Sequence, residues 1–172
     1  MSDFYGRVTN EQNALTRLMS RVPGFKGYLE RETRRSADKL LREAIASRYE
    51  ELWQRISRLQ RELIANAQIG FVDDLEAGAI KIRQFADRIR TAAYGYAGFF
   101  DAVRINEEEL AALYEYDLQL LDQADEVSRA IDHIEAAIGT DGLPAAIRNF
   151  VTVTERSVET YNRRAETIVS MA

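Results

Sequence analysis

Residues 72–100 read VDDLEAGAIKIRQFADRIRTAAYGYAGFF, and this stretch decides the fold. Its apolar and small residues recur at alternating steps of three and four positions. These seam positions are Val72, Leu75, Ala79, Ile82, Ala86, Ile89, Ala93, Tyr96 and Phe100. Such a heptad spacing places one continuous apolar stripe along a helix, which is typical of helices that pack lengthwise against others. The stretch therefore predicts a long helix within a bundle.

The composition of the whole chain favours a helical domain over disorder or a strand-rich fold. The chain has 172 residues, 46% of them apolar and 30% charged, with only two prolines and nine glycines. Cysteine is absent, which excludes disulfides, thiolate metal sites and cysteine nucleophiles. No apolar run approaches the ~18 residues of a membrane span, and residues 1–9 lack a signal-peptide pattern. We therefore expect a soluble, cytoplasmic protein.

Capping residues and helix breakers define the two N-terminal helices. A short first helix is expected to begin at Thr9, which is spaced from Gln12 as a capping box, and to end at Pro23. The second is expected to run from about Tyr28 to about Ala67, with no proline or glycine inside it. Residues 30–36 contain no large apolar side chain, so we expect this charged start to contribute little to the core. It either folds back over one bundle end or projects from it.

Two further helices follow the 72–100 seam. Asn106 precedes three glutamates, which is the strongest helix start in the chain. The turn at residues 139–142 separates this helix from the last one, where Pro144 suits the first turn. The predicted core positions of the last helix are Ile147, Val151, Thr154, Val158, Tyr161, Ala165 and Ile168.

The predicted fold is all-α, an up-down-up-down four-helix bundle with coiled-coil-like seams, a long second helix and an extra short N-terminal helix. Short connections make sequential helices antiparallel neighbours. We expect a single helical domain over residues 1–172. Residues 1–40 would supply the N-terminal helix, its connector and the charged helix start, and residues 41–172 the bundle.

The chain lacks the motifs of enzymes that are built on helical bundles. A ferritin-like di-iron site needs a Glu-x-x-His pair on each of two helices. The chain has one histidine, His133, and Ala130 lies three residues before it. Neither a Gly-x-Ser-x-Gly turn nor a glycine-rich phosphate loop is present. We therefore predict a protein that is not an enzyme, with no catalytic residues, no metal site and no cofactor.

Charge is distributed unevenly along the chain. Residues 1–64 contain 13 Lys or Arg against 9 Asp or Glu, whereas residues 104–142 contain 2 against 11. The basic and acidic helices are expected to face each other, within one fold or across a homo-oligomer. Alternatively, the basic end binds an acidic partner or an anionic membrane surface. Asp117 is the only polar residue in its helix seam, and we expect it to pair with an arginine of a neighbouring helix or to lie at a wet bundle end.

Two groups of residues are candidates for binding. In the first, aromatic residues expected to be exposed lie next to arginines, which suits docking to a protein or an anionic surface. This group is Phe25, Tyr28, Arg31, Arg34 and Arg35. Interleaved acidic residues dilute its positive field and argue against nucleic acid. The second group either plugs one bundle end or lines a pocket for an apolar ligand or partner. It consists of Tyr94, Tyr96, Phe99, Phe100, Tyr114 and Tyr116.

These observations favour a non-catalytic scaffold or adaptor. It would act through helix-mediated self-association or by docking on a larger protein assembly, so its partner is another protein or a second copy of the chain. Two alternatives remain open at this point. One is a peripheral protein that binds a membrane surface through the basic N-terminal region. The other is a carrier of a small apolar ligand at the aromatic bundle end.

Overall fold

The structure of the protein, a computed structural model, describes residues 2–92 and 105–171. Within these residues it is helical and contains no strand. Single 3-10 turns at Arg31–Thr33 and Ile69–Phe71 lead into the second and third helices. The helices are α1 (Ser2–Arg21), α2 (Arg34–Ala65), α3 (Val72–Thr91), α4 (Glu107–Ala137) and α5 (Leu143–Met171). The predicted all-α class, long second helix and extra N-terminal helix are confirmed.

Helices α2 and α3 form one antiparallel hairpin. Arg42, near the start of α2, donates to the carbonyl of Ile89 near the end of α3, at 3.0 Å. Gln60, near the end of α2, donates to Glu76 near the start of α3, at 2.6 Å. Because one residue number rises as the other falls, the two helices run in opposite directions.

Helices α4 and α5 form a second antiparallel hairpin. Arg164 near the end of α5 bonds Asp117 near the start of α4, and Gln123 bonds Thr160 one to two turns further along. The start of α4 is capped as predicted. Asn106 accepts from the backbone N–H of Glu109, whose carboxylate accepts from the N–H of Asn106 in return.

A ladder of ion pairs joins α1 and α2 to the acidic helix α4. Four arginines contact four carboxylates at N–O distances from 2.5 to 3.5 Å. The pairs are Arg17–Asp122, Arg21–Asp122, Arg21–Asp125, Arg48–Asp125, Arg55–Asp132 and Arg55–Glu135. Along α2 and α4 the paired numbers rise together, so these helices run in the same direction. The expectation that basic and acidic helices face each other is thus confirmed within one chain.

The N-terminal elements begin at other residues than predicted. Helix α1 starts at Ser2 rather than at Thr9, because residues 2–8 contain no proline and continue the same helix. Helix α2 starts at Arg34 rather than near Tyr28, since the chain first reverses direction through residues 22–30, the fold-back segment. The expected boundary at residue 40 falls inside α2, as it fell inside the predicted second helix.

The fold-back segment depends on Gly27. This residue has a φ of +88°, a backbone conformation that residues with a Cβ rarely adopt. A Cβ here would also lie 2.5 Å from the Tyr114 hydroxyl oxygen. The reversal therefore uses glycine both for its backbone freedom and for the close approach to α4. The N-terminal region folds back onto the bundle.

Small residues of α3 allow α5 to approach closely. Ala79 and Ala86 are buried. A Cβ placed on Gly78 would overlap Cε1 of Phe150 in α5. The predicted seam positions beyond residue 92 lie outside the described residues.

The core stripe of α5 differs from the predicted one at every second position. Ile147, Thr154, Tyr161 and Ile168 are buried as predicted. Between them, Phe150, Ser157 and Arg164 are buried, whereas Val151, Val158 and Ala165 are only half-buried. The predicted and the observed stripes both have heptad spacing. Where they differ by one residue, the prediction twice chose the more apolar neighbour, Val158 over Ser157 and Ala165 over Arg164. It therefore missed a buried arginine.

Replacing Gly78 with Ala is expected to destabilise the protein, although alanine is the better helix former. The added Cβ overlaps the ring of Phe150, and overpacking a tight core typically costs about 1–3 kcal/mol. Urea denaturation should show a lower midpoint for the variant.

Phe150→Leu provides the matched control, because it removes the ring that the new Cβ meets. Gly78→Ala should cost less in the Phe150→Leu background than in the wild-type chain. A rise in the denaturation midpoint for Gly78→Ala alone, as helix propensity predicts, would show that α3 and α5 are not in close contact.

Candidate functional site

Four charged side chains form a hydrogen-bonded layer inside the core, near the start of α2. This buried ionic layer consists of Asp38 and Arg42 of α2, Asp117 of α4 and Arg164 of α5, all at most 4% exposed. Arg164 donates from Nε to Oδ1 of Asp117 at 2.5 Å and from Nη2 to Oδ1 of Asp38 at 2.9 Å. Arg42 donates from Nε to Oδ2 of Asp38 at 2.7 Å. The two positive and two negative charges balance within the layer.

One face of the charged start of α2 belongs to the core. Residues 30–36 are exposed as expected except for Arg34, and Asp38 is buried one turn further on. Counting back from Leu41, the heptad positions of α2 fall on Asp38 and Arg34, and both are buried. Charged groups tolerate burial only when they are paired and hydrogen-bonded. The partners that make burial possible here come from α5 and α4, which the local sequence does not reveal.

The layer also caps the end of α3. Arg42 donates from Nη1 to the carbonyl oxygens of Ile89 at 3.0 Å and of Arg90 at 3.1 Å. These carbonyls lie in the last turn of α3, where they lack partners within the helix and carry the negative end of the helix dipole. Through Arg42 the layer therefore contacts all four bundle helices.

Tyr28 links the fold-back segment to the same layer. Its hydroxyl donates to Oδ2 of Asp117 at 2.8 Å, and its backbone N–H donates to the hydroxyl oxygen of Tyr114 at 2.9 Å. The Tyr28 ring stacks on Tyr114 at a centroid distance of 5.5 Å and meets the edge of Phe25 at 5.3 Å. Arg34 donates from Nε to the carbonyl of Tyr28 at 2.6 Å and from Nη2 to that of Leu29 at 3.3 Å.

These contacts overturn part of the predicted docking element. Phe25 and Tyr28 were expected to be exposed, but they are buried by the aromatic stack. Arg34 is also buried, because its guanidinium holds the backbone of the fold-back segment. Arg31 and Arg35 are exposed. The structure therefore does not bring the five residues onto one surface.

The electrostatics of the layer follow from its burial. Burial raises the pKa of the Asp117 carboxyl, and the adjacent Arg164 guanidinium opposes that rise. Burial likewise raises the pKa of the Tyr28 phenol, with the negative charge of Asp117 as the second cause. Of the two expectations for Asp117, pairing with an arginine of a neighbouring helix is the one that the structure shows. Since every residue of the layer is buried and hydrogen-bonded to another of them, the layer has a structural role.

A second buried polar contact lies deeper in the bundle. The Tyr49 hydroxyl is 2.8 Å from Oγ of Ser157 and 3.2 Å from the carbonyl of Leu120. The ring of Phe85 packs edge-on against both Tyr49 and Tyr161. Burial raises the pKa of Tyr49 above its ordinary value.

Most of the predicted aromatic pocket falls outside the described residues, namely Tyr94, Tyr96, Phe99 and Phe100. Tyr114 is buried, with one ring face on Tyr28, and Tyr116 is half-buried. An open groove of about 370 Å³ lies elsewhere, between α3 and α5. Phe85 and Val158 supply its apolar lining, and Lys81, Arg88, Glu155 and Glu159 are among its charged residues.

The described residues offer no cluster of three or more His, Asp or Glu side chains that could hold a metal ion. None of the helices in the described ranges is both long and apolar enough to cross a membrane. His133 is exposed on α4. Comparison with protein-family models, curated proteins and solved structures finds no match to this chain.

Replacing Arg164 with Met is expected to lower the free energy of unfolding by about 3–5 kcal/mol, because Asp38 and Asp117 lose their shared buried partner. Arg163→Met is the matched control, since Arg163 is the exposed neighbour on the same helix. A surface change of this kind stays within about 0.5 kcal/mol. Similar denaturant midpoints for the two variants would contradict the assignment of the layer to the core.

The free energy of unfolding is expected to decline above a pH of about 10, which is the ordinary pKa of tyrosine. Burial raises the pKa of Tyr28 and Tyr49 in the folded state. The contribution of these two tyrosines to stability is complete below their pKa in the unfolded chain. It is lost as the pH rises towards their higher pKa in the folded protein. Tyr49→Phe should make the decline shallower, by up to about 1.4 kcal/mol per pH unit. Urea midpoints measured across the alkaline range test this, and an unchanged slope in the variant would refute it.

Proposed function

We propose that the protein is a non-catalytic helical scaffold or adaptor that docks onto another protein through the exposed part of the segment around Leu29. The observation that supports this proposal is the position of Leu29. Its side chain is 66% exposed, while the preceding Tyr28 is buried and its own carbonyl accepts from buried Arg34. A large apolar side chain is thus held outward by a backbone anchored in the core.

The anchoring matters for binding energetics. Tyr28 is fixed through its N–H, its carbonyl and its hydroxyl, by Tyr114, Arg34 and Asp117. A binding segment that is already ordered loses little conformational entropy on association, so more of the contact energy appears as affinity. The buried ionic layer therefore supports docking indirectly, because it holds Leu29 in place.

Nearby charges favour a partner with an acidic rim. The exposed charges close to Leu29 in the chain have a small positive excess, with Lys26, Arg31 and Arg35 against Glu30 and Glu32. Complementary charge raises encounter rates and discriminates between partners. Helix α4 of a second copy is a poor candidate for that surface, since Asp122, Asp125, Asp132 and Glu135 already pair within their own chain. A separate acidic protein fits better.

Site-specific photo-cross-linking tests this proposal. A photoreactive residue placed at Leu29 in the full chain should capture a defined protein, whereas the same residue at Ile80, an exposed isoleucine on α3, should not. Arg31→Glu combined with Arg35→Glu should reduce the capture, while circular dichroism shows an unchanged fold. Equal capture from Leu29 and Ile80 would contradict the proposal. A second result would also contradict it. If the chain sediments with anionic vesicles and the charge-reversed variant does not, the segment binds a membrane surface rather than a protein.

A further inference from the structure

Two exposed isoleucines flank the turn between α2 and α3, which lies at the opposite end of the bundle from the buried ionic layer. Ile64 in the last turn of α2 is 52% exposed, and Ile69 just beyond the turn is 64% exposed. We call residues 61–74 the distal tip. It lies about 40 Å along α2 from Asp38, at the rise of about 1.5 Å per helical residue. Large apolar side chains grouped at an exposed site mark interaction surfaces more often than isolated ones do.

The backbone of the distal tip is hydrogen-bonded and contains one strained residue. The N–H of Gln68 donates to the carbonyl of Leu63 at 2.8 Å, and the N–H of Ala67 donates to that of Ile64 at 3.1 Å. This is the hydrogen-bond pattern of a Schellman motif, whose left-handed position glycine usually occupies. Here Ala67 occupies it with a φ of +58°. Non-glycine residues in this conformation cluster at active sites, ligand clamps and switch regions.

The charges of the distal tip are predominantly negative. Residues 61–74 contain Glu62, Asp73 and Asp74 against Arg61, and all four side chains are exposed. Exposed Asp141 lies in the α4–α5 turn at the same end of the bundle. Asp73 and Asp74 suit the first turn of α3. Unlike Asp122, Asp125, Asp132 and Glu135 of α4, the three acidic groups of the tip form no ion pair within the described residues, so their charge is available to a partner.

We propose that the distal tip is a second docking surface, which binds a basic amphipathic segment of a partner protein. The apolar side of such a segment would cover Ile64 and Ile69, and its cationic residues would meet the surrounding carboxylates. The same charge repels anionic lipid and nucleic acid, and it opposes contact between the tips of two copies. This inference does not depend on the docking role of Leu29. With both surfaces present, the bundle would hold two partners at its two ends.

The test uses the full chain with ¹³C-labelled isoleucine methyl groups. The probe is a synthetic Leu/Lys peptide whose leucines recur with helical periodicity. The methyl signals of Ile64 and Ile69 should shift saturably, whereas that of Ile80, which is 46% exposed on the side of α3, should stay in place. Added salt should weaken the binding, and a Leu/Glu peptide of the same pattern should fail to bind.

Substitutions then separate this surface from a general affinity for basic peptides. Ile64→Ser combined with Ile69→Ser should raise the Kd by about tenfold, while the control Ile80→Ser leaves it unchanged. Thermal melting checks that each variant folds. Asp73→Asn combined with Asp74→Asn should also weaken binding and reduce its salt dependence. Equal shifts at Ile80, equal loss of affinity in Ile80→Ser, or binding of phosphatidylglycerol vesicles through Ile64 and Ile69 would overturn the proposal.

Discussion

The bond of Arg164 to Asp38 and Asp117 is the interaction on which the arrangement of the helices depends. It joins α2, α4 and α5 in the core, and Arg42 and Tyr28 extend it to α3 and to the fold-back segment. Buried ion pairs add little net stability, because the desolvation of the charges offsets their attraction. A packing that separated these charges within the core would leave them buried without partners. The layer therefore disfavours such packings rather than simply strengthening the observed one.

Local signals in the sequence were sufficient to predict much of the fold. The heptad of α3 up to Ile89, the cap at Asn106 and the turn at residues 139–142 depend on residues close together in the chain, and the structure confirms them. Pairing of the basic and acidic helices also followed from the distribution of charge. By contrast, the burial of Asp38 depends on Arg164, which lies 126 residues away. Composition treats such charged residues as solvated, so the prediction missed the burial of Arg34 and Asp38, although the rest of residues 30–36 is exposed as expected.

The candidate site was harder to predict for the same reason. Phe25 and Tyr28 lie in a segment without helical periodicity, and only the stacking on Tyr114 and the contact with Asp117 show that they are buried. One signal was present in the sequence, since Asp38 and Arg42 are spaced as a helical ion pair. A second was the alternative heptad of α5 that includes Arg164. Together these two signals indicate a polar layer in the core. Neither signal predicts which residues near that layer, such as Leu29, are exposed.

The central claim is that Arg164 is enclosed and hydrogen-bonded in the native core. Hydrogen exchange of its Nε–H group, followed by ¹⁵N NMR, tests this directly. Because that hydrogen is donated to Asp117 at full burial, its exchange should be as slow as that of core backbone amides such as that of Ile131. Exchange as fast as that of the exposed Arg163 side chain would contradict the claim, since it would show that the layer is open to water.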